Sequence, residues 1–589
     1  MTSIKDPEVL SIWKGAQSQK ARTILLDQVQ VNVPAPFPSP VDWRDPWMYL
    51  LMPDRFNNPL KTPKVAPFDC VLNDFQGGTF NGIKDKLPYL KSLGVGSIWI
   101  TPVLKNVVYD STYHGYAIQD FLTLDSRFAS KPELVDQEFR ALVDEAHKLG
   151  IYVIMDIVLN HVGNVFSYPG NGGDVAPFSD SAYTIAWHDE NGQTRSDWAV
   201  VENINNLAPN ATVCPTEIRK NAFFRRQGIP GAGGSDVIGD FYSYKQMMTA
   251  NQNLQTVLIF CYQYMIAKFD IDGFRIDTLR YIDNGFERIF ANAIREYTSL
   301  IGKKNFFMFG EDTAGEENIS EFIGRDTINS LTGDPIGIDA VVDYPLYNIL
   351  PMVCKGLRSP SSLSELFQER KVIEKSVMST HGDATNYFIT FLDNHDQFQR
   401  FYSSDSKDPN RYNDQVTLAL ACLFGLQGIP CLYYGTEQGL SGHGSRLENV
   451  REAMWGMTNP FNTSSPFYQS IQKIGAMRNN YPALRYGRQY FRPLSGDGVN
   501  FGISTLSPGV ISFSRILADV EMVVVANTST TESVTVFCLI DSSINAVGDV
   551  FDVVYSNKST FSPPEPVQSN GSILSIKVTL QPMEVQVLA

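Results

Sequence analysis

Asp277, Glu311 and Asp396 each close a short apolar run: Ile271-Asp-Gly-Phe-Arg-Ile-Asp277, Phe306-Phe-Met-Phe-Gly-Glu311 and Phe388-Ile-Thr-Phe-Leu-Asp-Asn-His-Asp396. Each run has the length and β-rich composition of a buried parallel strand, and each carboxylate falls where such a strand would meet its loop. Two acids within reach of one bond are what retaining glycoside hydrolysis requires, a nucleophile and an acid/base about 5–5.5 Å apart. Arg275 stands two residues before Asp277, on the same face of a strand, where its charge would keep that carboxylate ionised. The acid/base must instead carry a proton near neutral pH, which calls for a more apolar, carboxylate-flanked setting.

The elements that must position these acids alternate regularly. Strand-like runs at Trp47–Met52, Ser97–Pro102, Tyr152–Val158, Ile271–Asp277, Asn305–Glu311, Ile338–Tyr344, Tyr387–Asp393 and Pro430–Tyr434 are separated by helix-like stretches. The latter include Lys131–Leu149, Leu254–Lys268, Phe286–Ile301, Leu363–Val377 and Gln415–Leu426. Strand–helix alternation implies right-handed crossovers and a parallel sheet, and eight units close it into a (β/α)8 TIM barrel. A doubly wound open sheet is the alternative, but no Gly-rich phosphate loop follows the first strand. Active sites of barrels lie at the carboxyl ends of the strands. Those ends add Asp156, Asn160 and His161 after the third strand, Arg275 at the fourth and His395 at the seventh, while the loop after the second supplies His114 and Tyr116. Any one strand-end Asp is more often a helix N-cap, a lone His is more often structural, and Trp99 reads as core. Only the joint placement of the three acids reverses those odds.

Two stretches break the rhythm. Residues 162–244 are rich in Gly, Asn and Pro without a helical period, and a loop of that length over a barrel mouth reads as an inserted domain B. After 493 the pattern changes to short β-branched runs (Val510–Arg515, Met522–Ala526, Ser533–Leu539, Val550–Tyr555, Ile573–Leu580, Glu584–Leu588), a C-terminal antiparallel sandwich over 493–589. Residues 1–45 form an N-terminal extension, leaving 46–161 and 245–492 as the two parts of the barrel.

The chain's 589 residues carry a net charge of -15, which argues against nucleic acid, whose phosphates call for a basic surface. Aromatic residues reach 12%, enough to supply platforms for sugar rings as well as core. Seven scattered Cys lack zinc-site spacing, and their odd number weighs against a complete disulfide framework. No apolar stretch approaches the roughly 20 residues of a membrane span. The first residues show no basic segment leading into an apolar one, so the cytoplasm is the expected compartment, with a secreted mature form left open. Oligomeric state is not legible.

DIVLNH (156–161), GFRID (273–277), FGE (309–311) and FLDNHD (391–396) together resemble the four conserved regions of the alpha-amylase superfamily, glycoside hydrolase family thirteen. FQGGTFNGIKDKLPYLKSLGVGSIWITPV, YHGYAIQDF and GIPCLYYGTEQGL are similar to that family's strand-associated segments, and the resemblance runs from Trp47 to Leu588. It implies Asp277 as nucleophile, Glu311 as general acid/base and Asp396 as the third carboxylate, binding ring hydroxyls. It further implies that Arg275 orients Asp277, that His161 and His395 bond sugar hydroxyls, that Tyr116 stacks under the reacting sugar beside His114, and that Asp156 holds Arg275. Arg280 and Tyr281 depart from the Lys-His pair with which many members build the +1 and +2 subsites and a calcium ligand; Arg280 is carried as a substrate-binding residue. Asn160 occupies the position of a family calcium ligand, which makes calcium, and no organic cofactor, the group to test. Thr278 sits where related glucosidases that cut α-1,4 bonds often carry Thr or Ala. Arg451-Glu-Ala-Met-Trp455 resembles a segment near the eighth strand and receives no catalytic role.

The function this implies is retaining hydrolysis of α-1,4 bonds in starch- or glycogen-type glucans or maltooligosaccharides. A transglycosylase or isomerase on the same machinery is the alternative, since both share the glycosyl-enzyme intermediate. A non-catalytic glucan-binding protein is the second alternative, though such proteins usually lose one of the acids.

Overall fold

The computed structural model describes residues 2–26, 29–65, 67–230, 238–324, 337–373, 378–379 and 382–589. Eight parallel strands form its centre: β1 (Met48–Leu51), β2 (Ser97–Ile100), β3 (Tyr152–Val158), β4 (Gly273–Asp277), β5 (Phe307–Gly310), β6 (Ala340–Val341), β7 (Ile389–Thr390) and β8 (Ile429–Tyr433). They lie in the order β6-β5-β4-β3-β2-β1-β8-β7. A parallel bridge between Val342 and Ile389, with the Asp343 N–H donating to the Ile389 carbonyl at 2.9 Å, joins the two ends of that sheet and closes the barrel. The first seven strands fall within the runs expected from the sequence, and β8 begins one residue ahead of its run, at Ile429. Their near-continuous apolar character follows from burial on both faces.

The helices α1 (Leu87–Leu93), α2 (Val135–Lys148), α3 (Gln252–Phe269), α4 (Asn284–Ile301), α5 (Ser361–Ile373), α6 (Asn413–Gly425) and α7 (Pro466–Asn480) follow the strands. Capping sets their bounds. The Asn251 carboxamide accepts from the N–H groups of Asn253 and Leu254 at the start of α3, and Asp283 accepts from Phe286 N–H at the start of α4. Gly302, at φ 103°, ends α4 in the left-handed conformation that glycine adopts without strain. The expected helix over 363–377 begins two residues earlier and is described to Ile373; 374–377 lie outside the described residues.

The described residues of the N-terminal stretch before 46 form elements of their own. A helix over Pro7–Gly15 packs on α3, with the Trp13 ring stacked on Tyr297 and its Nε1 donating to Gln263 (3.0 Å), and a hairpin pairs Ala21–Leu26 with Val29–Pro34. The segment then runs under the barrel. Phe37 stacks on His147, and Trp43 stacks on Phe307 while donating to the Asn305 carbonyl at 2.7 Å. Beside it the fully buried Lys303 ammonium lies 2.8 Å from Asp270 and 2.7 Å from Asp272, whose other oxygen meets His147 Nε2 at 2.8 Å. Burial alone would push the Asp272 carboxyl up, but His147 and Lys303 outweigh it and hold it below the usual range.

Among the described residues between Val162 and Tyr244 the elements are short: His161–Val162 pairs with Lys245–Gln246, and Phe166–Ser167 with Ala186–Trp187, around a small core of Phe166, Trp187 and Phe224. The C-terminal region is two antiparallel sheets, of five and four strands, enclosing Val523, Val525, Cys538, Ile576 and Leu588. Three of its strands, Arg488–Phe491, Leu494–Ser495 and Gln568–Asn570, are too short or polar to announce themselves in the sequence. Arg515 ties this region to the barrel by donating to the Gly425 carbonyl at the end of α6 (2.8 Å). All seven Cys are free. Among the described residues no helix is long and apolar enough to cross a membrane.

Replacing Lys303 with Met would leave Asp270 and Asp272 buried without their cation. A loss of about 3–5 kcal/mol is expected in chemical denaturation at neutral pH. Because Asp272 is held low, that loss should shrink as pH falls through its folded-state value.

Candidate active site

The carboxyl ends of β3, β4 and β5 meet at one guanidinium. Parallel pairing sets Arg275 opposite Asp156 on one side and Phe309 on the other, and the strand's alternation aims Arg275 and Asp277 the same way. Arg275 Nη1 donates to Asp277 Oδ1 at 2.7 Å and to Asp156 Oδ1 at 3.0 Å, while Nη2 lies 3.0 Å from Glu311 Oε2. Asp277 and Glu311 thus sit on the two amino groups of one buried cation. Asp156 also accepts from Tyr116 OH (2.9 Å) and from Trp99 Nε1 (3.0 Å).

Thr278 follows Asp277 with φ +50°, a left-handed conformation that strains a β-branched residue. This bend turns its own N–H toward Glu311 Oε2 (3.3 Å) and lets Leu279 N–H bond the Glu311 carbonyl (2.9 Å). The other carboxylate oxygen of Glu311 accepts from Tyr344 OH at 3.0 Å, just beyond β6, and that hydroxyl in turn accepts from Asn394 Nδ2 (3.4 Å). Glu311 is therefore held from three strand ends.

Asp396 completes the group from beyond β7. Its Oδ1 accepts from Arg451 Nη2 (3.1 Å), and its Oδ2 lies 3.2 Å from His395 Nε2. His395 Nε2 also meets Tyr116 OH at 2.6 Å. With the Tyr116 hydroxyl donating to Asp156, the His395 Nε2–H is left to donate to the Tyr116 oxygen. Side-chain exposure rises from 9% for Asp277 through 13% for Glu311 to 30% for Asp396, which grades the three acids from floor to mouth.

Four carboxylates, Asp156, Asp277, Glu311 and Asp396, share two guanidiniums, Arg275 and Arg451. The histidines add no charge: burial pushes His114 and His395 well below their usual range and His161 down to about 4. Burial, followed by Glu311, Asp156 and Asp396, drives the Asp277 carboxyl well up, against the opposing pull of Arg275. Burial also lifts Asp156 to about 6. The expectation that Arg275 keeps Asp277 ionised is thus one side of a balance in which desolvation is the larger effect. Desolvation and the carboxylates gathered around Arg275 thus favour the protonated form of Asp277.

The remaining sequence-derived residues form the wall. His114 accepts Tyr116 N–H on Nδ1 and meets Tyr244 OH at Nε2 (3.0 Å), and the Tyr244 ring stacks on His161 at 5.4 Å. The inserted segment thereby clamps both histidines. Arg280 lies over the Tyr281 ring and its charge reaches Asp312, next to Glu311. Asn160 Oδ1 accepts from Gln246 Nε2 (3.0 Å). That donor takes one of the two lone pairs of the oxygen that would face a calcium ion.

Sequence reasoning passed over four contributors. Trp99 is core, as expected, and also a donor to Asp156. Tyr344 ends the sixth strand run and could have been found by carrying the strand-end inspection through Asp343. Arg451 lies in a segment whose family likeness was visible but to which no role was given. Tyr244 had no signal, since its position depends on how the inserted segment folds back.

The family described as alpha amylase, catalytic domain, matches residues 50–480. An alpha-amylase of Streptomyces lividans is 27% identical over 532 residues, 82% of this chain and 54% of that protein. A cyclomaltodextrin glucanotransferase of Thermoanaerobacterium thermosulfurigenes is 27% identical over 76% of this chain and 56% of its own length. The chain thus spans little more than half of either relative. The crystal structure of an alpha-amylase from Geobacillus thermoleovorans, complexed with acarbose, superposes with a TM-score of 0.64 at 23% identity, covering 93% of this chain and 99% of that one.

Asp277→Asn removes one charge from the overloaded cluster. A raised carboxyl is protonated at low pH and costs stability only as pH climbs through its folded-state value. The variant should therefore match the parent's Tm near pH 4 and exceed it by about 2–4 °C at pH 8, measured by scanning calorimetry.

Proposed function

This chain belongs to the alpha-amylase catalytic-domain family, and from that premise we propose that it is a retaining glycoside hydrolase acting on α-1,4 bonds of starch- or glycogen-type glucans or maltooligosaccharides. The observation that carries this is the pairing of Asp277 and Glu311 on one guanidinium, at 2.7 and 3.0 Å.

Asp277 Oδ attacks the anomeric carbon while Glu311 gives its proton to the departing glycosidic oxygen, so the C–O bond to the aglycone breaks as an acyl ester bond forms. A water then loses a proton to Glu311 and attacks the same carbon, releasing Asp277 and restoring the configuration. Arg275 stabilises the Asp277 carboxylate as it leaves. Tyr344 and the Thr278 N–H fix the two oxygens of Glu311, so that its proton points along one direction. Asp396, the most open of the acids, is available to ring hydroxyls, with His395 beside it. Thr278 supports the α-1,4 linkage by its likeness to glucosidases of that preference.

Transfer to a sugar hydroxyl is the second reading, and the similarity to a glucanotransferase is what favours it. Incubation with maltoheptaose separates the two. Shorter products alone mean hydrolysis, and longer or cyclic ones mean transfer.

Glu311→Gln should lower kcat by about 10²–10⁴-fold, and Asp277→Asn and Asp396→Asn by several orders of magnitude, with circular dichroism unchanged. Retention of parental turnover in either of the first two would overturn the reading. Tyr344→Phe should lower kcat roughly tenfold with KM nearly unchanged, the worth of one hydrogen bond to a charged group. Activity should fall on the acid side at a pH above the ordinary Asp range, since Asp277 must lose its proton before it can attack.

A further inference from the structure

The carboxamide at Asn160 and the ammonium at Lys245 bear on what ties the inserted segment to the barrel. The strand Lys245–Gln246 returns from that segment and pairs antiparallel with His161–Val162, so alternate side chains face opposite ways. Gln246 faces the barrel. Its Oε1 accepts from Gly239 N–H (2.7 Å), which fixes the amide's orientation and leaves Nε2 to donate to Asn160 Oδ1 at 3.0 Å. The Asn160 carbonyl is also engaged, by Met247 N–H at 2.8 Å. Both oxygens of Asn160 thus meet donors contributed by the returning strand.

Lys245 faces the inserted segment and is fully buried. Its Nζ donates to the Asp174 carbonyl (2.6 Å), lies 3.7 Å from Asp240 Oδ2, and sits over the rings of Tyr168 (4.7 Å) and Phe166 (5.1 Å). Tyr168 OH and Gln246 N–H hold Asp240, and Asn164 Nδ2 holds the Asp174 carboxylate (2.9 Å). One ammonium therefore gathers the loops around 166–174 and 240, the task a bound cation performs in an oxygen-lined loop. Calcium asks for six to eight oxygens. Among the described residues no group of three or more His, Cys, Asp or Glu could hold a metal ion.

We propose that the tie between barrel and inserted segment is built from the Lys245 ammonium and the Gln246 carboxamide, in place of calcium. The test uses the full chain. After dialysis against EDTA its Tm should change by less than about 1 °C, addition of millimolar calcium should not raise it, and elemental analysis of the purified protein should find no stoichiometric calcium. Lys245→Met should lower Tm by about 5 °C or more, and calcium should not restore it. Stoichiometric calcium in the parent protein, or an EDTA-induced fall in Tm reversed by calcium, overturns the proposal, as does a Lys245→Met variant as stable as the parent. Should that variant fail to fold, the calcium titration of the parent decides alone.

Discussion

Arg275 is the constraint around which the upper barrel is arranged. Its guanidinium is buried, and such a cation is tolerable only if anions surround it. Three strands supply those anions at their ends: Asp156 from β3, Asp277 from β4 and Glu311 from beyond β5. The same contacts that satisfy the cation bring the two reactive carboxylates together. Burial then sets the balance of protons, since the anions outnumber the cations near them. Stability and reactivity here have one physical origin.

Barrel closure carries the arrangement to the remaining acid. β6 and β7 are short, and the ring is joined at Val342 and Ile389. That junction sets Tyr344 against Glu311 and Asn394 against Tyr344, and it is followed within a few residues by His395 and Asp396. Arg451 reaches back from beyond β8 to Asp396 and to the His395 carbonyl. A chain of polar contacts thus runs around the mouth from β3 to β8, each link depending on the register of the strand below it.

Much of this was readable from residue order. The strands announce themselves because burial on both faces demands continuous apolar runs, and their ends are marked by carboxylates that no buried strand would otherwise carry. Asp156, Arg275, Asp277 and Glu311 followed from that logic, as did His395, Tyr116 and Asp396. Tyr344, Arg451 and Tyr244 did not stand out, because their partners are fixed by closure and by the fold of an irregular segment, for which local pattern gives no period. The hairpin and helix of residues 1–45 were hidden for a similar reason: short elements that pack on a distant surface owe their stability to that surface. The sign of the balance at Asp277 was also out of reach, since desolvation is a property of the packed state.

The segment beneath the barrel has a consequence for biosynthesis. Trp43 bonds the carbonyl of Asn305, 262 residues further along. Phe37 leaves the ribosome well before His147, and Trp43 long before Phe307, so each ring must wait in a nascent chain without the partner it stacks on. The floor can form only after Phe307 has emerged, so closing it is a late, long-range step of folding rather than a local one.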